Sequence, residues 1–454
     1  MSETTRFTDH IKNTLPLFQL SSTVIEAANH GAAVPGSVQE MRSLCLQGIS
    51  SLLQRSEALY PEEMKEVVEK QAQLLVALAD SSAKDLPRLV SAWMGPFLTA
   101  LLRPFRVTLQ TCGQLTPQEA EEVVTFVKEL GVFSPLSRGQ LFLEVGLKCQ
   151  ASAPLLSWQT MMDAFETAPD LVAANENDYL HGYVYHPGEH PQTEFDHCPI
   201  CGGKNGVPYR AACSCFINSF TSMFLPAKLW MKCPECGNLY TRYFPTEFLS
   251  ISEETPTALT PHPERMDTQG TNGGVLHIWG EILKKLSALT QGQDLLEVGV
   301  GKGELISVAQ ELGFDVTAVE LVGSIAQHVA DVLDIPVIQA DFLKLAEDRQ
   351  YSILTMGDIV EHLQDPVQGL QKAYRLLKDG GVLWLSTPNY ESSFSRMMKV
   401  NDPMWREVEH ISYFNKDGLL RVLESVGFSL EDYTVSNRYN GSMELILRKG
   451  EKRS

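Results

Sequence analysis

Four cysteines, a run of glycines flanked by acids and two histidines are the residues of this chain whose types and spacing could do chemistry. Cys198-Pro-Ile-Cys201-Gly and Cys233-Pro-Glu-Cys236-Gly are two knuckles. Each sets two thiols on a tight turn, and its glycine lets backbone amides point at sulfur. Four thiolates complete a tetrahedral zinc shell and leave no open position for a substrate, so a zinc here would be structural. Redox pairs are the competing reading, weakened by the recurrence of C-P-x-C-G in one short stretch. Cys213 and Cys215, between the knuckles, read as spare buried thiols, with a second-metal fragment or alternative ligands as the other options.

The second constellation is Asp294-Leu-Leu-Glu297-Val-Gly299-Val-Gly301-Lys-Gly303-Glu304, an apolar strand running into a glycine loop and then a helix-forming stretch. Glycines are needed where backbone must turn sharply and approach a ligand closely. Dinucleotide folds favour G-x-G-x-x-G, which seats a pyrophosphate on the following helix. Here the spacing is shorter, and a carboxylate ends the strand where it would repel a diphosphate, so a cationic, phosphate-free ligand suits it better. Asp315-Val-Thr-Ala-Val-Glu320 ends in an acid placed to accept from both hydroxyls of a ribose. Pro336-Val-Ile-Gln-Ala-Asp341-Phe342 ends in an acid and an aromatic suited to an adenine amino group and ring face. Together with Gly357 and Asp358 after the next strand, these residues read as an S-adenosylmethionine pocket. A nucleotide-binding or vestigial fold without chemistry is the bland alternative.

The elements that must position these residues fall into regions. Residues 1–175 read as α-helical: Met64, Val67, Val68, Leu74, Leu75 and Leu78 follow Pro61 at near-helical spacing, and Pro87 and Pro96 should break the next stretch. Thr116-Pro-Gln-Glu119 is a capping box before Ala120, Val123, Val124, Val127 and Leu130, with Gly131 as the stop. This region carries no chemistry and reads as an oligomerisation or docking domain, or a cap over the substrate. Residues 176–250 form the cysteine module, 251–271 a polar, proline-bearing linker, and 272–454 an α/β domain in which strand and helix patterns alternate. A helix over 277–289 leads in, Gly427-Phe428 ends a late helix, and Glu444-Leu-Ile-Leu447 supplies a final strand.

Composition narrows the function. With 37 Lys and Arg against 56 Asp and Glu, a net charge of −19 opposes nucleic acid as a partner. No apolar run reaches the length of a membrane span, no leader sequence is evident, and nine cysteines with two C-x-x-C pairs fit a reducing compartment, so a cytoplasmic protein is expected.

The stretch from about 272 to 450 resembles the class I S-adenosylmethionine-dependent methyltransferases, with the loop, Glu320, Asp341 and Pro388-Asn389 at matching positions. The resemblance implies a seven-stranded Rossmann-like sheet whose last strand is antiparallel. Asp358-Ile-Val-Glu361-His362-Leu, Thr387-Pro-Asn389 and Glu409-His410-Ile-Ser-Tyr413-Phe414 are similar to motifs of a broad bacterial methyltransferase group, many of whose members carry an N-terminal cysteine-knuckle segment. Methyl transfer to oxygen needs in-line positioning and removal of a hydroxyl proton, and an imidazole suits the second task. His362 and His410 are the candidates. Ubiquinone-type and small-RNA O-methyltransferases show a similar E-x-x-E-H motif, in the RNA enzymes around a divalent metal. That likeness implies Asp358, Glu361, His362 and His410 as possible ligands, with Asp in first place a departure. Alternatively, Glu361-His362 braces a helix and His410 bonds a loop carbonyl. Tyr390, Trp405, Tyr413 and Phe414 could wall a substrate pocket or close the core edge. The expectation is methylation of a hydroxyl on a small molecule or a sugar-containing, glycan-type precursor. Sugar C-methylation and a non-catalytic S-adenosylmethionine-sensing scaffold are the alternatives.

Overall fold

A computed structural model describes residues 105–131, 133–171, 185–215, 220–248, 274–439 and 441–450, with a few positions before 105. The helix expected after Pro61, the breaks at Pro87 and Pro96 and the linker 251–271 lie outside the described residues. Two compact units divide the chain, 1–174 and 175–454.

In the first unit, helices span Pro117–Lys128, Pro135–Lys148 and Pro154–Thr167, each with proline at its start, where the missing N–H costs nothing. The capping box forms: Thr116 accepts from the Glu119 amide, and the Glu119 carboxylate accepts from the Thr116 amide at 2.9 Å. The first helix stops at Lys128, short of Gly131. Gly146 lets the second and third helices close, since a Cβ there would stand 2.5 Å from Met161 Cγ.

The second unit is built on a seven-stranded sheet. Its strands are β6 (Asp294–Val298), β7 (Asp315–Glu320), β8 (Val337–Gln339), β9 (Tyr351–Gly357), β10 (Leu377–Pro388), β12 (Phe428–Val435) and β13 (Ser442–Lys449), in the order β12-β13-β10-β9-β6-β7-β8. β6 pairs in parallel with β7 and β9, β9 with β10, and β7 with β8, while β13 runs antiparallel between β10 and β12. This is the doubly wound arrangement with one reversed strand, as expected. The central strands are buried on both faces, which is why they read as continuous apolar runs. The helix Gly274–Leu289 lays Trp279, Leu283 and Leu286 against Leu295, Ile353 and Trp384, with Trp279 edge-on to Trp384 at 5.5 Å. β12 is a strand that the sequence reading did not single out. Its half-exposed residues give no clean alternation.

The cysteine region contributes β1 (Gln192–Glu194), β2 (Val207–Cys213), β3 (Ala227–Lys232), β4 (Leu239–Thr241) and β5 (Tyr243–Pro245). β1 pairs with β5. The others make a four-stranded sheet of order β11-β4-β3-β2, whose outer member β11 (Ser412–Tyr413) comes from beyond β10. Ser412 faces Tyr240 and Tyr413 faces Leu239 across that antiparallel pair. Ala212, Trp230 and Leu239 therefore share one core cluster with Tyr390, Trp405 and Tyr413. Among the described residues, no helix is long and apolar enough to cross a membrane.

Candidate active site and metal centre

The glycine loop follows β6 as expected. Gly299, Gly301 and Gly303 all adopt left-handed backbone, with φ of 73°, 49° and 74°, which a Cβ would strain. A Cβ on Gly299 would stand 2.3 Å from Ile359 Cδ1, while one on Gly301 would meet nothing within 4 Å. The loop thus keeps open space at Gly301 and ends with Gly303 as the N-cap of helix Glu304–Glu311. Glu320, at the end of β7, fixes the loop: its carboxylate accepts from the amides of Val300 at 3.0 Å and Val322 at 2.9 Å. Burial raises the Glu320 pKa, and the surrounding loop amides oppose that rise. Glu297 is buried, with Oε2 lacking a hydrogen-bond partner, and burial first and Glu320 second hold its pKa well above the ordinary range. Asp341 accepts from the Leu343 amide at 2.9 Å, and Phe342 is buried beside it.

The residues after β9 and β10 form a second cluster at the carboxyl ends of the strands. Asp358 has φ 55°, a conformation rare outside glycine, and accepts from Ser386 Oγ at 2.8 Å while pairing with Arg438 at 3.4 Å. Burial raises its pKa against the pull of Arg438. Arg438 lies over the ring of Trp279, 4.4 Å from its centroid, and donates to Ser386 Oγ at 2.8 Å. Glu361 is fully buried. Its Oε2 accepts from Thr387 Oγ1 at 3.0 Å and its Oε1 has no partner, and burial followed by Asp358 holds its pKa well above the carboxylate range.

The two histidines meet edge to face, with ring centroids 4.5 Å apart. Tyr413 Oη donates to Met404 O at 2.5 Å, so at 2.8 Å it must accept from His410 Nδ1. His410 therefore carries its proton on Nδ1 and leaves Nε2 as a lone pair. Its pKa is pushed well below the ordinary value by burial, then by His362 and Lys228. Burial also brings His362 down to about 4, opposed by its bond to the Glu409 carbonyl. One ligand atom each from Glu361, His362 and His410 lies within 4.8 Å of the others, a separation a divalent cation could bridge. The orphaned Glu361 Oε1 fits such an ion. Asp358, committed to Ser386 and Arg438, stands outside that trio.

The knuckle sulfurs converge. Cys198 and Cys236 are 3.7 Å apart, Cys201 and Cys233 3.5 Å, and all four sulfurs lie within 4.8 Å of one another. A tetrahedral zinc with ~2.3 Å bonds spaces its sulfurs about 3.8 Å apart, so the donor set fits the ion. Gly202 and Gly237 have φ of 74° and 77°, as the turns require, and the amides of Ile200, Cys201, Gly203 and Asn238 point at sulfur. Cys213 and Cys215 lie outside that cluster, buried, with sulfurs 3.4 Å apart.

Tyr390, Trp405, Tyr413 and Phe414 are all buried, at most 2% exposed. The first three pack into the aromatic core shared with β3 and β4, so they close a core edge; Tyr413 in addition orients His410. Sequence reasoning missed two cations. Arg438 meets Asp358 from the turn after β12, and Lys228 rises from β3 to the His410 segment. Neither sits in a recognisable motif, and only the fold brings each to its partners.

A family profile described as methyltransferase domain matches residues 273–433. A probable S-adenosylmethionine-dependent methyltransferase of Mycolicibacterium smegmatis is 28% identical over 175 residues, covering 37% of this chain and 65% of the relative. The ubiquinone biosynthesis O-methyltransferase of Caulobacter vibrioides is 34% identical over 107 residues, covering 22% of this chain and 42% of the relative. Among solved structures, a magnesium protoporphyrin IX methyltransferase from Synechocystis is 17% identical with a TM-score of 0.34, covering 41% of this chain and 92% of its own. An S-adenosylmethionine-dependent methyltransferase from Clostridium acetobutylicum is 14% identical with a TM-score of 0.33, covering 38% and 92%.

Proposed function

We propose, from the premise that residues 273–433 form a class I S-adenosylmethionine-dependent methyltransferase domain, that this chain methylates a hydroxyl, with His410 as the base. The observation that carries the reading is the bond between His410 Nδ1 and Tyr413 Oη, which leaves Nε2 as an unprotonated acceptor at the strand ends. The cofactor supplies an electrophilic methyl on a sulfonium when bound. Glu320 would hold its ribose through the lone pairs not used by Val300 and Val322, Asp341 and Phe342 would flank the adenine, and Glu297 and Asp358 would face the methionine ammonium. The glycines let the chain pass close beneath. His410 Nε2 would take the proton that the acceptor's hydroxyl gives up on methylation. Its depressed pKa keeps the imidazole neutral near pH 7, and the second ring nitrogen is already committed, so the acquired proton has one site. Zinc on Cys198, Cys201, Cys233 and Cys236 would be structural. The acceptor would be a small molecule or a sugar-containing precursor.

A second reading rests on Glu361 Oε1, a buried oxygen without a partner beside two imidazoles. Glu361, His362 and His410 would then hold a divalent cation, which would lower the acceptor's pKa in place of the base. Incubating source-cell extract with methyl-labelled cofactor and the pure protein should label one product class, and His410→Ala should abolish the labelling. Unchanged labelling by both His410→Ala and His362→Ala would sink both readings. Loss of labelling on dialysis against a chelator, restored by magnesium or manganese and not by zinc, would favour the second.

A further inference from the structure

We propose that Lys228 is a positioning residue for His410, so that β3 of the cysteine module completes the acceptor side of a site otherwise built by the α/β domain. The proposal rests on the reading of His410 as the reacting histidine. The segment Glu407–His410 belongs to no helix or strand, yet each of its four carbonyls is assigned. Lys228 Nζ donates to the carbonyls of Glu407 at 2.8 Å, Val408 at 2.9 Å and His410 at 2.5 Å. The fourth, that of Glu409, takes the ring N–H of His362. Burial brings the Lys228 pKa down to about 7, opposed by the Glu407 and Glu409 carboxylates, and in the ammonium form all three protons are used here, in a residue only 7% exposed.

Three carbonyls turned toward one point need a nitrogen with several N–H donors at that point. An apolar side chain in its place would leave them facing one another in a dry interior, and the segment would turn outward. The neighbouring contacts come from the same module. Trp230 Nε1 donates to Trp405 O at 2.9 Å, the Thr241 amide donates to Ile411 O at 2.8 Å, and β4 pairs with β11, which carries Tyr413. From the methyltransferase side, Ile411 is held by the carbonyl of Glu361 at 2.7 Å. The module thus delivers the histidine to the site and keeps its Nδ1 on Tyr413. The ribose and loop contacts of the proposed cofactor site involve none of these residues.

The test uses full-length Lys228→Met and, as a milder partner, Trp230→Phe. Hydrogen exchange should show the amides of 407–413 in Lys228→Met exchanging about tenfold faster or more, with protection of β6, β7 and β9 unchanged. Trp230→Phe should give a smaller acceleration confined to 405–408. In histidine-labelled protein, the single Nδ1-protonated signal of His410 should become a tautomer mixture in Lys228→Met. Calorimetry with S-adenosylmethionine should change less than twofold. Wild-type exchange over 407–413 together with an unchanged His410 signal would overturn the proposal, as would equal loss of protection across the whole sheet. If His410→Ala leaves methyl transfer intact while Lys228→Met still frees the His410 ring, the base assignment fails and the positioning role stands.

Discussion

Replacing Glu320 by Gln changes one atom and should cost most of the cofactor affinity. In the wild type both carboxylate oxygens are in use, one accepting from the Val300 amide at 3.0 Å and the other from the Val322 amide at 2.9 Å. A carboxamide offers a single acceptor oxygen. In either orientation its NH2 faces one of these two N–H groups, so one buried donor loses its partner and meets another donor. An orphaned buried donor costs ~1–3 kcal/mol. If the loop relieves that conflict by moving away from its ligand-ready shape, the loss appears in binding as a roughly 5- to 150-fold rise in Kd. The carboxylate's stronger bonds to two ribose hydroxyls would be lost as well, which places the expectation in the upper part of that range. Isothermal titration with S-adenosylmethionine and with its demethylated product would measure it, since the product cannot react. A Kd within twofold of wild type for both ligands would refute the reasoning. It would mean that Glu320 neither holds the loop nor meets the ribose.

Elemental analysis of the purified chain should find about one zinc, lost in the Cys198→Ser, Cys236→Ser double variant; retained metal in that variant would move attention to Cys213 and Cys215. Gly299→Ala should lower the melting temperature more than Gly301→Ala, because only the first new methyl collides, 2.3 Å from Ile359 Cδ1, while both strain a left-handed backbone; equal melting temperatures would contradict the packing. Acid should unfold the methyltransferase unit through its histidines. With the folded His362 pKa near 4 against 6.5 in the unfolded chain, the unfolded state binds the extra proton, so stability is full above about pH 6.5 and falls as pH drops toward 4. Glu297 and Glu361, with raised pKa, contribute in the opposite sense. Urea midpoints from pH 7 to 4.5 should therefore fall less steeply in His362→Gln than in the wild type, and parallel curves would show that His362 is not buried neutral.

Much of the α/β domain was legible because its signals are local. The apolar run at 294–298, the glycines at 299, 301 and 303 and the acids ending β6 and β7 lie within one or two elements, and their spacing dictates the backbone. The knuckles were legible for the same reason. Strand β12 was missed because exposed apolar residues such as Leu430 and Val435 obscure the alternation. The dual use of Asp358 was missed because Arg438 reaches it across the sheet from the turn beyond β12. Trp405 and Tyr413 looked equally suited to a pocket wall or a core edge, since aromatic composition does not say which face another sheet will cover. That face was decided by β11 joining β4, a pairing between residues 239–240 and 412–413 that no local pattern encodes.

The shared sheet bears on how this chain could be divided in the laboratory or in evolution. Cutting within 251–271 looks natural from composition, yet it would strip β11 of its strand neighbour β4 and open the outer backbone of β4. Trp230, Trp405 and Tyr413, each at most 2% exposed in the intact unit, would be turned toward water on both fragments. Fragments with a raw strand edge beside an aromatic face tend to self-associate. The region bearing the cysteines and the region bearing the glycine loop are thus expected to be inherited, expressed and lost together, as halves of one folding unit.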